Sequence, residues 1–272
     1  MDLTIKPVKA VEITDTDEYH PNLPCIERNN GSLILLIAPT ASGKTTLINN
    51  LLYNRHMWGK TEKRPQGAFD AVYVWSPSIY LDDSSRFMLN DFICSDTFKN
   101  EELEQIKKNQ LMLPKEERGK LMLVVDDSVG LDVLKTKSAL TYYCTRNRHL
   151  NANILLSVQN YRACNSIMRN NAKCFILMYG IYNTKELIKL EEEIGDVFRG
   201  TLIYCYKKYC NQKYMFLTLY PREVPCRMLL NFTTEIDWKK EVRNAKNFKI
   251  EEYESDDETE TEHLEEGDEY EK

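Results

Sequence analysis

Residues 38–45 read A-P-T-A-S-G-K-T and carry the spacing of a phosphate-binding loop, with Ala38 where that pattern has glycine. Small residues and Gly43 let successive backbone N–H groups curl around β- and γ-phosphates. A helix starting near Lys44 adds its positive N-terminal end. Lys44 offers a mobile charge to the β/γ oxygens, and Thr45 offers a hydroxyl to Mg²⁺. The candidate nucleotide-binding set is Ala38, Pro39, Thr40, Ala41, Ser42, Gly43, Lys44, Thr45 and Thr46, and the ligand of such a set is MgATP. A G-K-T tripeptide alone is a weak signal. The apolar run before it and the amphipathic stretch after it make the signal specific.

Further along, L-M-L-V-V-D-D closes an apolar run with two carboxylates, Asp126 and Asp127. Hydrolysis needs a carboxylate near the γ-phosphate, and a strand end beside the phosphate loop places one there. Asp126 would hold Mg²⁺, and Asp127 would orient or deprotonate the attacking water. The run N-I-L-L-S-V-Q ends in Gln159, a residue able to sense the γ-phosphate or position water. Before it lies T-R-N-R-H-L-N-A-N, with Arg146, Arg148 and His149. Arg146 and Arg148 are candidates to stabilise transition-state charge across a subunit boundary, or to be solvated arginines at a helix end. Arg169 is a further candidate for that role, and His149 reads as a structural hydrogen-bonder.

These residues require strands that end on one side of a sheet. Apolar runs at 33–38, 70–76, 121–125, 153–158 and 173–178 read as buried strands. Helical spacing appears at 45–54, in two pieces within 81–110, and at 131–146, 163–171 and 184–194. The runs 202–206 and 214–219 read as a hairpin. Strands alternating with helices give an α/β fold with a central, mostly parallel sheet flanked by helices and ligands at the carboxyl ends of the strands. The expected divisions are an N-terminal extension at 1–30 with an edge strand, the P-loop domain at 31–232, a basic linker at 233–250 and a disordered acidic tail at 251–272.

Composition narrows the classes. The 22 residues from Glu251 onward hold 13 acids and one lysine, whereas the other 250 carry 35 bases against 29 acids. A basic body with an acidic tail is compatible with a polyanionic partner. Eight cysteines without a C-x-x-C pair read as buried free thiols in a reducing compartment rather than as disulfides or zinc ligands. The start shows no secretory signal, and no apolar run approaches the roughly 18 residues of a membrane span, so no membrane insertion is expected.

The loop A-P-T-A-S-G-K-T, L-V-V-D-D, the block T-R-N-R-H-L-N-A-N-I-L-L-S-V-Q and I-M-R-N-N-A together resemble the genome-packaging ATPases of the FtsK–HerA superfamily. The poxvirus-type branch, found in large DNA viruses, virophages and related elements, is the nearest in pattern. The resemblance covers residues 31–220. It implies that Lys44 and Thr45 are Walker A ligands, that Asp126 and Asp127 form the Walker B pair and that Gln159 is the sensor. That family often has Glu where this chain has Asp127. The resemblance further implies an ATP hydrolase that drives double-stranded DNA into a preformed capsid as a ring of five or six subunits. Its expected partners are DNA, a capsid or portal-region protein and further copies of the chain. The expected location is the viral factory in the host cytoplasm, with the virion as a second place. Two other readings fit the phosphate loop. One is a nucleotide or nucleoside kinase, for which residues 55–69 would have to form the lid. The other is a DNA-binding protein that holds a nucleotide without hydrolysing it.

Overall fold

In the computed structural model, residues 6, 8, 20–24, 26, 31–127 and 134–248 are described. The N-terminal edge strand and the acidic tail expected from sequence lie outside them. A nine-stranded sheet runs through the molecule. Its strands are β1 Leu33–Ile37, β2 Ala71–Trp75, β3 Ile93–Ser95, β4 Leu121–Val125, β5 Ala152–Val158, β6 Cys174–Met178, β7 Phe216–Tyr220, β8 Arg227–Leu230 and β9 Thr234–Glu235. They lie in the order β3-β2-β4-β5-β1-β6-β7-β8-β9. The first six strands are mutually parallel, and β7, β8 and β9 follow as antiparallel neighbours.

The continuous apolar runs follow from burial on both faces. Along β1, Leu33, Leu35 and Ile37 enter one core, and Ile34 and Leu36 enter the other. The second core receives α1 (Lys44–Tyr53) through Leu47, Ile48, Leu51 and Leu52, together with Trp58 and Phe69 from the loop that follows. The first core receives α4 (Asn100–Leu111), α5 (Ala139–Arg146), α6 (Ser166–Asn171), α7 (Thr184–Glu193), α8 (Leu202–Tyr209) and α9 (Trp238–Asn247). Two short helices, α2 (Asp83–Arg86) and α3 (Met88–Asp91), sit between β2 and β3. At the base of the sheet, Asn153 accepts from Ser32 N at 3.0 Å and donates to Leu121 O at 3.3 Å, tying β5 to the starts of β1 and β4.

Four expectations change. Residues 202–206 are helical, not the first arm of a hairpin. Leu202, Ile203, Cys205 and Tyr206 are buried at helical spacing, although aromatic and β-branched side chains favour a strand reading. The antiparallel hairpin is made by β7 with β8 instead, and β8 continues into β9. Between the two helical pieces of 81–110 lies the short parallel strand β3, which among the described residues pairs with β2 alone. Helix α5 begins at Ala139, capped by Ser138, rather than at 131; residues 131–133 lie outside the described ones. Finally, the described part of the expected linker at 233–250 carries β9 and α9, so residues 234–247 are packed against the domain.

Trp238 explains why α9 docks. Its ring is buried edge-on to Phe198 at 5.5 Å, and its indole N–H donates to Cys226 O. Glu241 accepts from Lys208, Tyr209 and Asn244, and the Lys208 and Asn244 bonds pull its carboxyl down to about 2. That contribution is full above the ordinary glutamate range and is lost as pH falls towards 2.

The seven described cysteines are free thiols. Burial pushes Cys94, Cys164, Cys205 and Cys210 up to about 12, which suits small apolar fillers. No helix among the described residues is long and apolar enough to cross a membrane.

Removing the Trp238 ring should therefore act on the whole domain. Trp238→Ala is expected to cost about 3 kcal/mol in a urea titration, whereas Lys246→Ala, at an exposed position of the same helix, should stay within about 0.5 kcal/mol. Equal small effects would show that α9 is not part of the cooperative unit.

Candidate functional site

Parallel pairing delivers the chemistry to one edge. Ile37 is in register with Val158 and with Leu177, Val125 with Leu156, and Trp75 with Val125. The carboxyl ends of β2, β4, β5, β1 and β6 therefore line up side by side. Each is followed at once by a polar or special residue: Ser76, Asp126, Gln159, Ala38 and Tyr179. The Ala38 N–H donates to Val158 O, so the phosphate loop starts as an extension of the sheet.

The loop turns sharply before α1. Ala41 takes φ 61° and Gly43 φ 97°. Gly43 is required twice over. Its backbone conformation disfavours a side chain, and a Cβ there would lie 2.4 Å from Tyr214 Cδ1. Helix α1 has no side-chain N-cap and no acid in its first turn. By contrast, Asp82, Ser138, Asn165 and Asn183 cap α2, α5, α6 and α7. The N–H groups opening α1 thus face the loop's concavity uncovered by a side-chain oxygen, the arrangement that receives a phosphate. Ser42 is buried, and its hydroxyl donates to Met178 Sδ at 3.7 Å, which holds the loop against β6.

Lys44, Asp126, Asp127 and Gln159 come together as the sequence suggested. Lys44 Nζ is 3.2 Å from Asp126 Oδ1 and 3.5 Å from Asp127 Oδ1. Gln159 Nε2 donates to Asp127 Oδ1 at 2.9 Å. Asp126 is buried, and Ser76 Oγ donates to its Oδ2 at 3.0 Å. Asp127 is 37% exposed at its side chain, so the two neighbouring carboxylates meet different environments: one fixed, one open to solvent. Asp127 also sits at φ 49°, a left-handed conformation that aspartate tolerates better than most residues.

Oxygen donors from Asp126 and Thr45 suit a hard divalent cation such as Mg²⁺. Among the described residues no group of three or more His, Cys, Asp and Glu is set to hold a metal. A cation held here would take most of its ligands from phosphate and water, which is how Mg²⁺ enters such sites.

The arginines lie elsewhere. Arg146 ends α5, Arg148 belongs to the 3-10 turn Asn147–Leu150, and β5 begins two residues later. Both are exposed at the amino-terminal edge of the sheet, with the seven-residue β5, about 23 Å long, between them and Gln159. Arg148 N lies 2.6 Å from where a Cβ on Gly31 would be, at the entry to β1. Neither side chain reaches the phosphate loop of its own chain. Arg169 is fully engaged. It forms a two-pronged pair with Glu193 (2.7 and 2.8 Å), donates to Cys164 O and stacks at 5.1 Å over Tyr161. That makes it a structural clamp between α6 and α7, not a free finger. His149 is exposed, and its carbonyl accepts from Arg118 at 2.5 Å.

Residues 55–69, the segment a kinase reading would use as a lid, are anchored to the domain at three points. Trp58 and Phe69 are buried edge to face at 5.7 Å, and Arg64 turns inward toward the carbonyls of Met57 and Arg55. Two site residues escaped the sequence reading. Ser76 could be recognised only from the strand order that seats β2 beside β4. Tyr214 becomes a neighbour of Gly43 only through the antiparallel return of β7.

No family model matches the chain, and no curated protein matches it by sequence. Solved structures do. The genome packaging NTPase B204 from Sulfolobus turreted icosahedral virus 2, in complex with AMP, superposes with TM-score 0.52 at 17% identity, over 74% of this chain and 96% of that one. B204 from Sulfolobus turreted icosahedral virus, described as a DNA-packaging ATPase, gives TM-score 0.48 at 15% identity, over 73% and 96%. The cytoplasmic domain of the Thermomonospora curvata type VII secretion ATPase EccC gives 0.41 at 16%, over 58% and 20%. The first of these likenesses establishes the fold: this chain is a P-loop-type α/β domain with a mostly parallel central sheet.

Proposed function

We propose that this protein is an ATP hydrolase that translocates double-stranded DNA during packaging of a viral genome. The observation that carries the reading is the meeting of Lys44, Asp126, Asp127 and Gln159 at the edge of the sheet where the phosphate loop opens. A simple phosphate-binding turn needs the lysine and the loop. It has no use for a solvent-open carboxylate tied to a glutamine. The likeness to B204, itself a genome packaging NTPase, supports the same assignment.

In this reading the loop N–H groups and Lys44 take the β- and γ-phosphates, and Thr45 and Asp126 face the Mg²⁺ that travels with the nucleotide, which offsets phosphate charge. Asp127 accepts a proton from, or orients, the attacking water. Gln159 fixes the Asp127 carboxylate and sits where loss of the γ-phosphate is felt. Arg146 and Arg148, exposed on the far edge, serve a neighbouring subunit in a ring of five or six copies, with DNA and a capsid or portal-region protein as the other partners. The working location is the host cytoplasm and, after assembly, the virion.

Lys44→Ala should abolish hydrolysis and weaken ATP binding. Asp127→Asn should keep binding and lose about 100-fold or more in turnover, since an amide accepts no proton. A wild-type rate for Asp127→Asn, measured as phosphate release with long duplex DNA present, would remove Asp127 from the chemistry. Release that requires a small acceptor would favour a kinase.

If an arginine acts in trans, turnover per subunit should rise with protein concentration. Mixing Lys44→Ala subunits with Arg146→Ala or Arg148→Ala subunits should then restore part of the activity at hybrid interfaces. A rate per subunit that is constant across assembly sinks the trans role.

The tail makes a separate prediction. With 13 acids in 22 residues it can compete with DNA for the basic body. Deleting residues 251–272 should tighten DNA binding at low salt, with the gain fading as screening shortens to about 10 Å near 0.1 M. Overlaid binding curves at all salt concentrations would leave it only a solubilising role.

A further inference from the structure

We infer that Tyr214 and Tyr182 form the base-binding side of the nucleotide site, flanking the phosphate loop on the side opposite the carboxylates. The inference rests on the nucleotide reading above and adds the residues that would hold the purine.

The direction of a bound nucleotide follows from the strand order. Asp126, Asp127 and Gln159 stand at the tips of β4 and β5, on one side of β1. The γ-phosphate must face them to be hydrolysed. The nucleoside then leaves the loop on the other side of β1, over the tips of β6 and β7. Two of the largest exposed aromatic side chains in the described structure stand there. Tyr182 is 81% exposed and Tyr214 59%.

Both rings lie beside the loop. Tyr214 Cδ1 lies 2.4 Å from the position a Cβ on Gly43 would take, so the ring rests on the glycine that shapes the phosphate cradle. Tyr182 Cε2 and the Pro39 ring approach the same point beside Gly180. Each is held from behind. Tyr206 accepts from Ile181 N at 2.9 Å and donates to Met178 O at 2.7 Å, fixing the turn that carries Tyr182. Tyr179 N donates to Met215 O, and Met215 N to Gln212 O, fixing the turn that carries Tyr214. Tyr214 keeps φ 73°, a conformation rarely adopted by a bulky residue, and that backbone places its ring on Gly43. The exposed Lys213 places its Nζ 5.1 Å from the centroid of that ring.

Exposed aromatic rings anchored at the rim of a phosphate loop offer flat apolar faces in a polar setting. A purine stacks on such faces, and the phosphates alone do not need them. This separates base recognition from phosphate recognition and makes the two independently measurable.

The test compares ATP with inorganic tripolyphosphate, both with Mg²⁺, by calorimetric titration of the full chain. Tyr214→Ala and Tyr182→Ala should each raise the Kd for ATP about tenfold and leave that for tripolyphosphate unchanged. Phe at either position should restore wild-type affinity, because stacking needs the ring and not the hydroxyl. Tyr214→Trp adds a direct signal: its fluorescence should be quenched by ATP and not by tripolyphosphate. Unchanged ATP affinity in both alanine variants would overturn the inference. So would an equal loss for the two ligands, which would make Tyr214 a support of the phosphate loop. A wild-type chain that binds neither ligand overturns the nucleotide reading itself, and the inference with it.

Discussion

The ammonium of Lys44 faces two carboxylates at once, 3.2 Å from one and 3.5 Å from the other. Two anions drawn this close on one backbone repel each other, and a single lysine leaves the trio one negative charge in excess. The excess is what a divalent cation would satisfy, and a nucleotide would bring that cation with it. Lys44 then has phosphate oxygens to turn to, and the carboxylates keep a counter-charge. The rest of the structure depends on keeping these three groups in place without nucleotide, the buried Asp126 above all.

What holds them there is register. Six parallel strands end at one level, and a shift of one residue in β4 would send Asp126 to the opposite face of the sheet. Asn153 pins the opposite ends of β1, β4 and β5 together, so the tips cannot slide independently. Ser76 adds a lateral hold, reaching from β2 to Asp126. Phosphate loop, acidic tip and glutamine tip are contributions of three separate strands, and the sheet makes them neighbours.

Much of this was legible because the relevant signals are local. The buried strands are unbroken apolar runs, and their polar caps at Asp126, Asp127 and Gln159 mark strand ends without any knowledge of pairing. The turn at Gly43 is equally local. What failed to show depends on partners distant in sequence. L-I-Y-C-Y-K-K-Y has strand-forming side chains, and only the packing of Leu202, Cys205 and Tyr206 onto the sheet makes it α8. The edge strand β3 is three residues long and owes its conformation to β2. Trp238 looks like a stray aromatic in a charged stretch until Phe198 supplies its pocket. Arg169 showed the opposite limit: its sequence made it a candidate for the trans role, but Glu193, 24 residues away, occupies it.

The placement of Asp127 bears on how a short acid fills a position where the family it resembles often has glutamate. Aspartate is one methylene shorter, so its carboxylate reaches less far from the same Cα. The backbone supplies part of the difference. At φ 49° the residue leaves the strand direction as soon as β4 ends, and its side chain is aimed along the edge toward Gln159 rather than out of the sheet. The hydrogen bond at 2.9 Å then fixes one carboxylate oxygen, while the side chain stays open enough to meet water. A glutamate at this position would have to fold back to make the same contact, and would lose side-chain entropy in doing so. In this chain the short side chain, the left-handed backbone and the glutamine on the next strand work as one unit. Loss of Gln159 would release Asp127 from its aim while leaving Lys44 and the phosphate loop intact.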